Sequence, residues 1–381
     1  MLKGSNAKLA VLAVFAPNLL LPLYLSFGSM LSLLYLCLNA QAVKLSRVSF
    51  NSFIILALFG VIVGMVNGVA HSYILGDVLQ FLFFSVLILV AFPSVVQSLV
   101  DAKKFFSLAA VIVSCYVLIE FLFSNFVLNG PILFLHNEYL EYSSVFAGGY
   151  YRPRGLAAEP SETAMMLAAA YFIGGGKLRL THRFVILPAI VLLGSPIPLI
   201  LVLLYSFYLS CIAIFRGRVM SFFYMLPFIV GGVLIFAYFF ASFIAELFFQ
   251  SILTKFQSQG AKYSSFDFRI STYVNGVSFA LSQFPITGGG LGVTEYLHDE
   301  NVRLGNYQFP NGMMSVPLQF YFFFGVLGFF SFASLVIIGF VRHAKTVAGF
   351  FLMTLYVFYF SIVGDWWSPF LGLPLWKLRK V

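Results

Sequence analysis

Charge is scarce in this chain. Lysine, arginine, aspartate and glutamate make up 9% of its 381 residues, where a soluble domain carries roughly 25%. So few charges cannot wet a globular surface. Cysteine is nearly absent as well. Cys37, Cys115 and Cys211 are odd in number and scattered through apolar runs, which argues against a disulfide framework or a metal site. They are expected to be small packing residues. No small-x-small cleavage site follows Lys3, Lys8 and the apolar stretch after them, so the first span is expected to be retained rather than removed as a signal peptide. A strand is missing too. The triple glycine of "TGGGLG" follows no strand pattern, which argues against a nucleotide-binding loop.

What is present is hydrophobic. Apolar residues make up 61% of the chain and aromatics 19%, with 48 phenylalanines. Apolar runs of about twenty residues recur along nearly the whole length. The expected fold is an all-α polytopic integral membrane protein of about 11–12 transmembrane helices. Residues 1–381 form one transmembrane domain in this reading, with two long extracytoplasmic loops at 124–160 and 246–312. Spans are expected near 8–27, 28–43, 50–70, 73–92, 105–123, 161–176, 183–194, 197–215, 220–245, 313–341 and 346–364. The segment 366–376 is either a twelfth span or a half-helix. The span at 183–194 ends in "GSPIPL", where two prolines break the pattern.

The few charges are unevenly placed. With the N-terminus cytoplasmic, cytoplasmic segments hold 16 of the 22 basic residues, from Lys3 and Lys8 through Lys103, Lys104, Arg183 and Arg342 to Lys380, against the single acid Asp101. The outer segments keep six basic residues and ten acids, and Asp77 and Glu120 fall within spans. This is the positive-inside asymmetry, and with an even span count both termini are expected in the cytoplasm. It accounts for the net charge of +9 without nucleic acid as a partner. Asp77 and Glu120 lie toward the outer ends of their helices, and could either line a cavity or sit at the interface.

Against that bias, both outer loops carry arginine. The first ends in "YRPRGLAAEPSETAMML", residues 151–167. Pro153 between Arg152 and Arg154 stiffens the backbone, and Gly155 permits a tight turn. Pro160 forbids upstream continuation of the next helix, which Ser161 is placed to cap. Arginines near a helix N-terminus suit an anion, and their forks bind phosphate oxygens bidentately. The alternative is pairing with Glu159 and Glu162, or with lipid headgroups. The second loop places Arg269 before an amphipathic segment and the glycine turn, then His298, Asp299, Glu300 and Arg303 before the next span. Adjacent residues such as His298–Glu300 rarely converge on one metal ion, so no metal is expected.

Arg152, Gly155, Glu159, Pro160 and Ser161 at a helix start, followed by Arg269, a helix, Pro285, Gly288, Gly290, Gly292 and a span with Gly325 and Gly328, resemble the O-antigen and exopolysaccharide polymerases. Related O-antigen ligases share the layout. The resemblance covers roughly residues 145–345 by motif and the whole chain by span count. It implies a GT-C-like glycosyltransferase architecture with a periplasmic active site. The activity would be transfer of a growing glycan from undecaprenyl diphosphate onto a lipid-linked oligosaccharide repeat unit. No cofactor is implied, because the lipid diphosphate is itself the activated leaving group; the partners are the lipid-linked donor and acceptor, membrane lipid and a chain-length regulator protein. On this resemblance Arg152, Arg154 and Arg269 hold the diphosphate, with Arg303 a further candidate. Glu159 or His298 serves as base, oriented by Asp299 or Glu300. Tyr150, Tyr151 and Tyr296 could stack on sugars or anchor at the interface. His136 is read as loop structure.

One departure separates polymerase from ligase. The ligases place a His-Asn pair at the start of the span after the second loop, where this chain reads Pro310-Asn311-Gly312. A flippase-type transporter is the other alternative. It should show internal repeats and a cationic path through its spans, whereas no repeat is detectable here and the outward cations concentrate in two loops.

Overall fold

The structure, a computed structural model, describes residues 9–10, 12–14, 20–21, 25–38, 47–87, 91–93, 95–96, 103–128, 151–153, 155, 160–174, 178, 180–215, 277–294, 296–297 and 315–362. These are almost entirely helical. The chain divides into two compact units, Met1–Ala102 with Phe268–Val381, and Lys103–Asp267.

The first unit contains α1 (Phe27–Leu38), α2 (Arg47–Val66), α3 (His71–Val86), α8 (Val316–His343) and α9 (Val347–Ile362). Helix α2 packs on α3 and on α8, and α8 packs on α9. Ser315 caps α8, its hydroxyl accepting from the Leu318 N–H, and a proline in the first turn suits a position that needs no N–H donor. The expected first span over 8–27 is not one helix. Leu20–Leu21 (β1) pair antiparallel with Leu25–Ser26 (β2). Pro17 and Pro22 are the physical reason, since each removes a helical hydrogen bond and clashes with the preceding turn.

The second unit contains α4 (Lys103–Phe126), α5 (Pro160–Gly174), α6 (Leu180–Leu192) and α7 (Pro196–Phe215). Helix α5 packs against α4, α6 and α7. Twelve of its 15 residues are buried. A helix apolar on all sides belongs in a core, and this one is a run of alanine, methionine, leucine and aromatics. The break at "GSPIPL" appears as expected. Helix α6 ends at Leu192 and α7 restarts at Pro196.

Helices α4 and α8 are long and apolar enough to cross a membrane, and shorter apolar helices lie at Phe53–Val66, Thr181–Leu192, Ile197–Leu209 and Val347–Ser361. Their apolar character does not stop at the core. On α4, Phe105, Leu108, Ile112, Ile119, Leu122 and Phe126 form an exposed stripe that also holds the exposed Cys115. Cys37 is exposed too, so these two thiols are not core packing residues as expected; Cys115 sits in the outward stripe instead. The opposite stripe of α4, Phe106, Ala110, Val113, Val117, Glu120 and Ser124, is buried.

Candidate functional site

The arginine-bearing stretch is built onto the ends of three helices. At the C-terminal end of α4, the Asn125 side chain clamps Tyr151 on both sides. The Tyr151 N–H donates to Asn125 Oδ1 at 2.6 Å, and Asn125 Nδ2 donates to the Tyr151 carbonyl at 2.9 Å. Next, Arg152 Nε donates to the Leu193 carbonyl at 2.5 Å. Leu193 follows the last residue of α6, where helix carbonyls lack internal partners and the dipole favours a cation. Pro153 is buried. Then the Gly155 N–H donates to Glu120 Oε2 at 2.9 Å.

Gly155 has φ +72, a conformation that L side chains rarely adopt. A Cβ there would also lie 2.6 Å from Thr163 Cγ2 in the first turn of α5. Four residues, Tyr151, Arg152, Pro153 and Gly155, are therefore fixed against α4, α5 and α6. Helix α5 begins at Pro160, so Ser161 lies within its first turn rather than ahead of it as a cap. The buried acid of that turn is Glu162, where the helix dipole favours negative charge.

The opposite ends of these helices are also polar. Helix α4 starts at Lys103 and Lys104. At the start of α6, His182 Nδ1 lies 2.7 Å from Ser107 Oγ, and the Arg183 guanidinium stands 5.7 Å from the centroid of the Tyr171 ring. Arg152 thus meets α6 at the end away from Arg183.

In the first unit, the glycine turn of the second loop is a packed knot. Gly325 breaks α8 with φ 59 and ψ −140. In an unbroken helix the Phe322 carbonyl would accept from the Val326 N–H. Here Val326 N–H donates to the Ile286 carbonyl at 3.0 Å, and the Phe322 carbonyl accepts from the Gly289 N–H at 2.7 Å. Loop backbone has entered the helical ladder, a recognised cause of a sharp kink. On the other side, Leu291 N–H donates to the Gly60 carbonyl at 3.0 Å, and Asn67 Nδ2 donates to the Gly289 carbonyl at 3.1 Å. Gly60 and Gly64 are four apart on α2, the small-xxx-small spacing that allows close backbone approach. A Cβ on Gly290 would fall on the backbone of Gly64.

The turn closes on a second buried acid. Gly292 N–H donates to Asp77 Oδ2 at 2.6 Å. Asp77 belongs to the buried stripe of α3 with Ile74, Phe81 and Ser85. The amides of Gly289, Leu291, Gly292 and Val293 all donate to protein acceptors, so this turn is a structural joint rather than a phosphate cradle. Tyr296 packs edge-on against Tyr73, with ring centroids 6.3 Å apart.

Of the residues singled out in the sequence, Arg152, Gly155, Tyr151, Tyr296, Asp77 and Glu120 are placed. Arg154, Glu159, Arg269, His298, Asp299, Glu300, Arg303, Tyr150 and His136 lie outside the described residues, as do the expected spans at 220–245 and 366–376. Asp77 and Glu120 both face inward and grip loop amides. Sequence reasoning did not single out Asn125, Asn67 or the Gly60–Gly64 pair. The glycine spacing was readable; the asparagines, single polar residues at helix ends, gave no pattern.

What these features define is a helical protein with long apolar helices and a cationic segment held at helix ends. No protein-family model matches the chain, and no curated protein or solved structure is significantly similar to it.

Proposed function

We propose that this chain is a multi-pass inner-membrane glycosyltransferase, a surface-polysaccharide polymerase acting on undecaprenyl-diphosphate-linked glycan at the periplasmic face. The observation that carries this is Arg152, held at the C-terminal ends of α4 and α6 with Tyr151, away from Lys103, Lys104 and Arg183. That separation supports opposite membrane faces for the two sets of basic residues. The uncovered apolar stripe of α4 supports contact with lipid.

In this mechanism the acceptor sugar hydroxyl attacks the anomeric carbon of the donor glycan. The bond from that carbon to the diphosphate oxygen breaks, and undecaprenyl diphosphate leaves. The hydroxyl proton passes to a base, Glu159 or His298. Arginine forks neutralise the charge that develops on the departing diphosphate. Arg152 donates Nε to the Leu193 carbonyl, which orients its guanidinium, the group whose planar fork matches phosphate geometry.

The test is reconstitution of the purified protein into proteoliposomes with a lipid-linked oligosaccharide repeat unit. A ladder of longer lipid-linked products is the expected result. Transfer only to a lipid A-type acceptor would make it a ligase. Unchanged substrate that crosses the bilayer would make it a transporter.

A further inference from the structure

Glu120 is not used by the mechanism above, yet its burial needs a reason. It is 3% exposed on a long apolar helix, where an ionisable side chain is costly and marks function by default. Its carboxylate accepts the Gly155 N–H, five residues from the Asn125 clamp on the same helix and three residues along the loop from Arg152.

We infer that Glu120 is the positioning residue of the arginine segment, a latch that holds Gly155 as Asn125 holds Tyr151, so that the Arg152 guanidinium meets a diphosphate in fixed register. This rests on the diphosphate reading of Arg152 and Arg154. Three features of the geometry support a latch over a mere buried acid. Asn125 grips the segment at Tyr151 through two bonds, and Glu120 grips it at Gly155, so the pair brackets both arginines in sequence. Gly155 has no room for a side chain because Thr163 presses on it, so the amide can approach the carboxylate closely. Finally, Glu120 shares the buried stripe of α4 with Val113 and Val117, so its carboxylate lies on the packed side of the helix. Diphosphate binding by a preset arginine avoids the entropy of ordering it on arrival.

The test uses the full chain in nanodiscs, with Glu120→Gln, Glu120→Leu, Arg152→Ala and Arg154→Ala. Two readouts are taken: amide hydrogen exchange of the peptide spanning 150–156, and affinity for farnesyl diphosphate as the probe. Losing a hydrogen bond to a charged acceptor corresponds to about 10- to 100-fold. Glu120→Leu is therefore expected to speed exchange in that peptide and weaken the probe by about tenfold or more. Glu120→Gln keeps an acceptor and should stay within about threefold of wild type on both.

Unchanged exchange in Glu120→Leu overturns the latch. Faster exchange with unchanged probe affinity reduces Glu120 to a structural residue and also overturns it. Glu120→Gln losing polymer formation while its exchange and probe affinity stay at wild-type levels would make Glu120 a proton-transfer group instead. Separately, full probe affinity in both arginine variants would remove the diphosphate reading itself, leaving the exchange result to decide whether Glu120 holds the loop. Failure of either idea is thus distinguishable. If Glu120→Leu does not fold, Asn125→Leu loosens the same segment from its other end and gives the same two readouts.

Discussion

Each unit fastens a loop segment to a helix by the same device, and the two segments differ in what surrounds it. In both, an acid from a buried helical stripe accepts the N–H of a glycine at positive φ: Asp77 with Gly292 at φ +83, and Glu120 with Gly155 at φ +72. Around Gly292, backbone meets backbone. The turn donates to Gly60 and Phe322 and enters the ladder of α8. Around Gly155, side chains meet backbone through Asn125 and Arg152. The first is a joint made by main chain, with no room to adjust. The second is a mount made by side chains, holding a segment that carries arginine. A buried acid in an apolar helix therefore need not be catalytic; here it satisfies an amide that would otherwise be buried without a partner.

Substitutions should expose that difference, beginning with the joint. In Gly290→Ala the new methyl would meet Gly64 backbone and lie 2.7 Å from the Gly60 carbonyl. No rotamer relieves a backbone clash, so a loss of about 4 kcal/mol or more is expected, read as a collapse of the thermal transition in detergent. A variant unfolding within a degree or two of wild type would show that the joint can yield. Gly155→Ala should cost about 2–3 kcal/mol, because its positive φ strains an alanine and its neighbour is the Thr163 side chain rather than backbone. Adding Thr163→Ala should recover roughly half of that loss. Strict additivity in the double variant would mean that Thr163 is not the obstacle.

Smaller effects separate the acids from their surroundings. Asp77→Leu leaves the Gly292 amide buried without its acceptor and should cost about 2 kcal/mol, against about 1 kcal/mol for Asp77→Asn. Neither should alter diphosphate affinity, since Asp77 serves the joint; a tenfold change there would tie the glycine turn to substrate. Asn125→Leu removes the Tyr151 clamp and should cost about 1–2 kcal/mol in chemical unfolding. A more stable Asn125→Leu protein would mean that the clamp is not a net source of stability.

Much of the helical framework was readable from apolar runs, because a span announces itself by length and composition alone. Helices α2 to α7, with α8 and α9, fall where those runs lie. The failure near the N-terminus came from weighing hydropathy above Pro17 and Pro22. The inward direction of Glu120 was also readable: it continues Ala110, Val113 and Val117 at helical spacing, opposite the exposed line through Ile112 and Ile119. Asp77 follows the same rule with Ile74 and Phe81.

The knot was not readable. Asn67 and Gly289 are 222 residues apart in sequence, and no local pattern encodes a contact of that separation. Gly325 looked like one of two small residues in a span, whereas its role depends on Ile286 taking the place of a helical carbonyl. For the candidate site, the sequence pointed to Arg152 and Tyr151 but not to Leu193 and Asn125, which hold them. Residue type marks the groups that do chemistry more clearly than the groups that aim them.

Residue-resolved amide exchange of the wild-type protein at Gly155 and Gly292 tests the shared device most directly. Both amides sit in loop segments, yet each donates to a buried carboxylate. The expected result is exchange as slow as that of the neighbouring helix amides of α4 and α3. Exchange of either glycine at the rate of an open loop would contradict the carboxylate grip at that position.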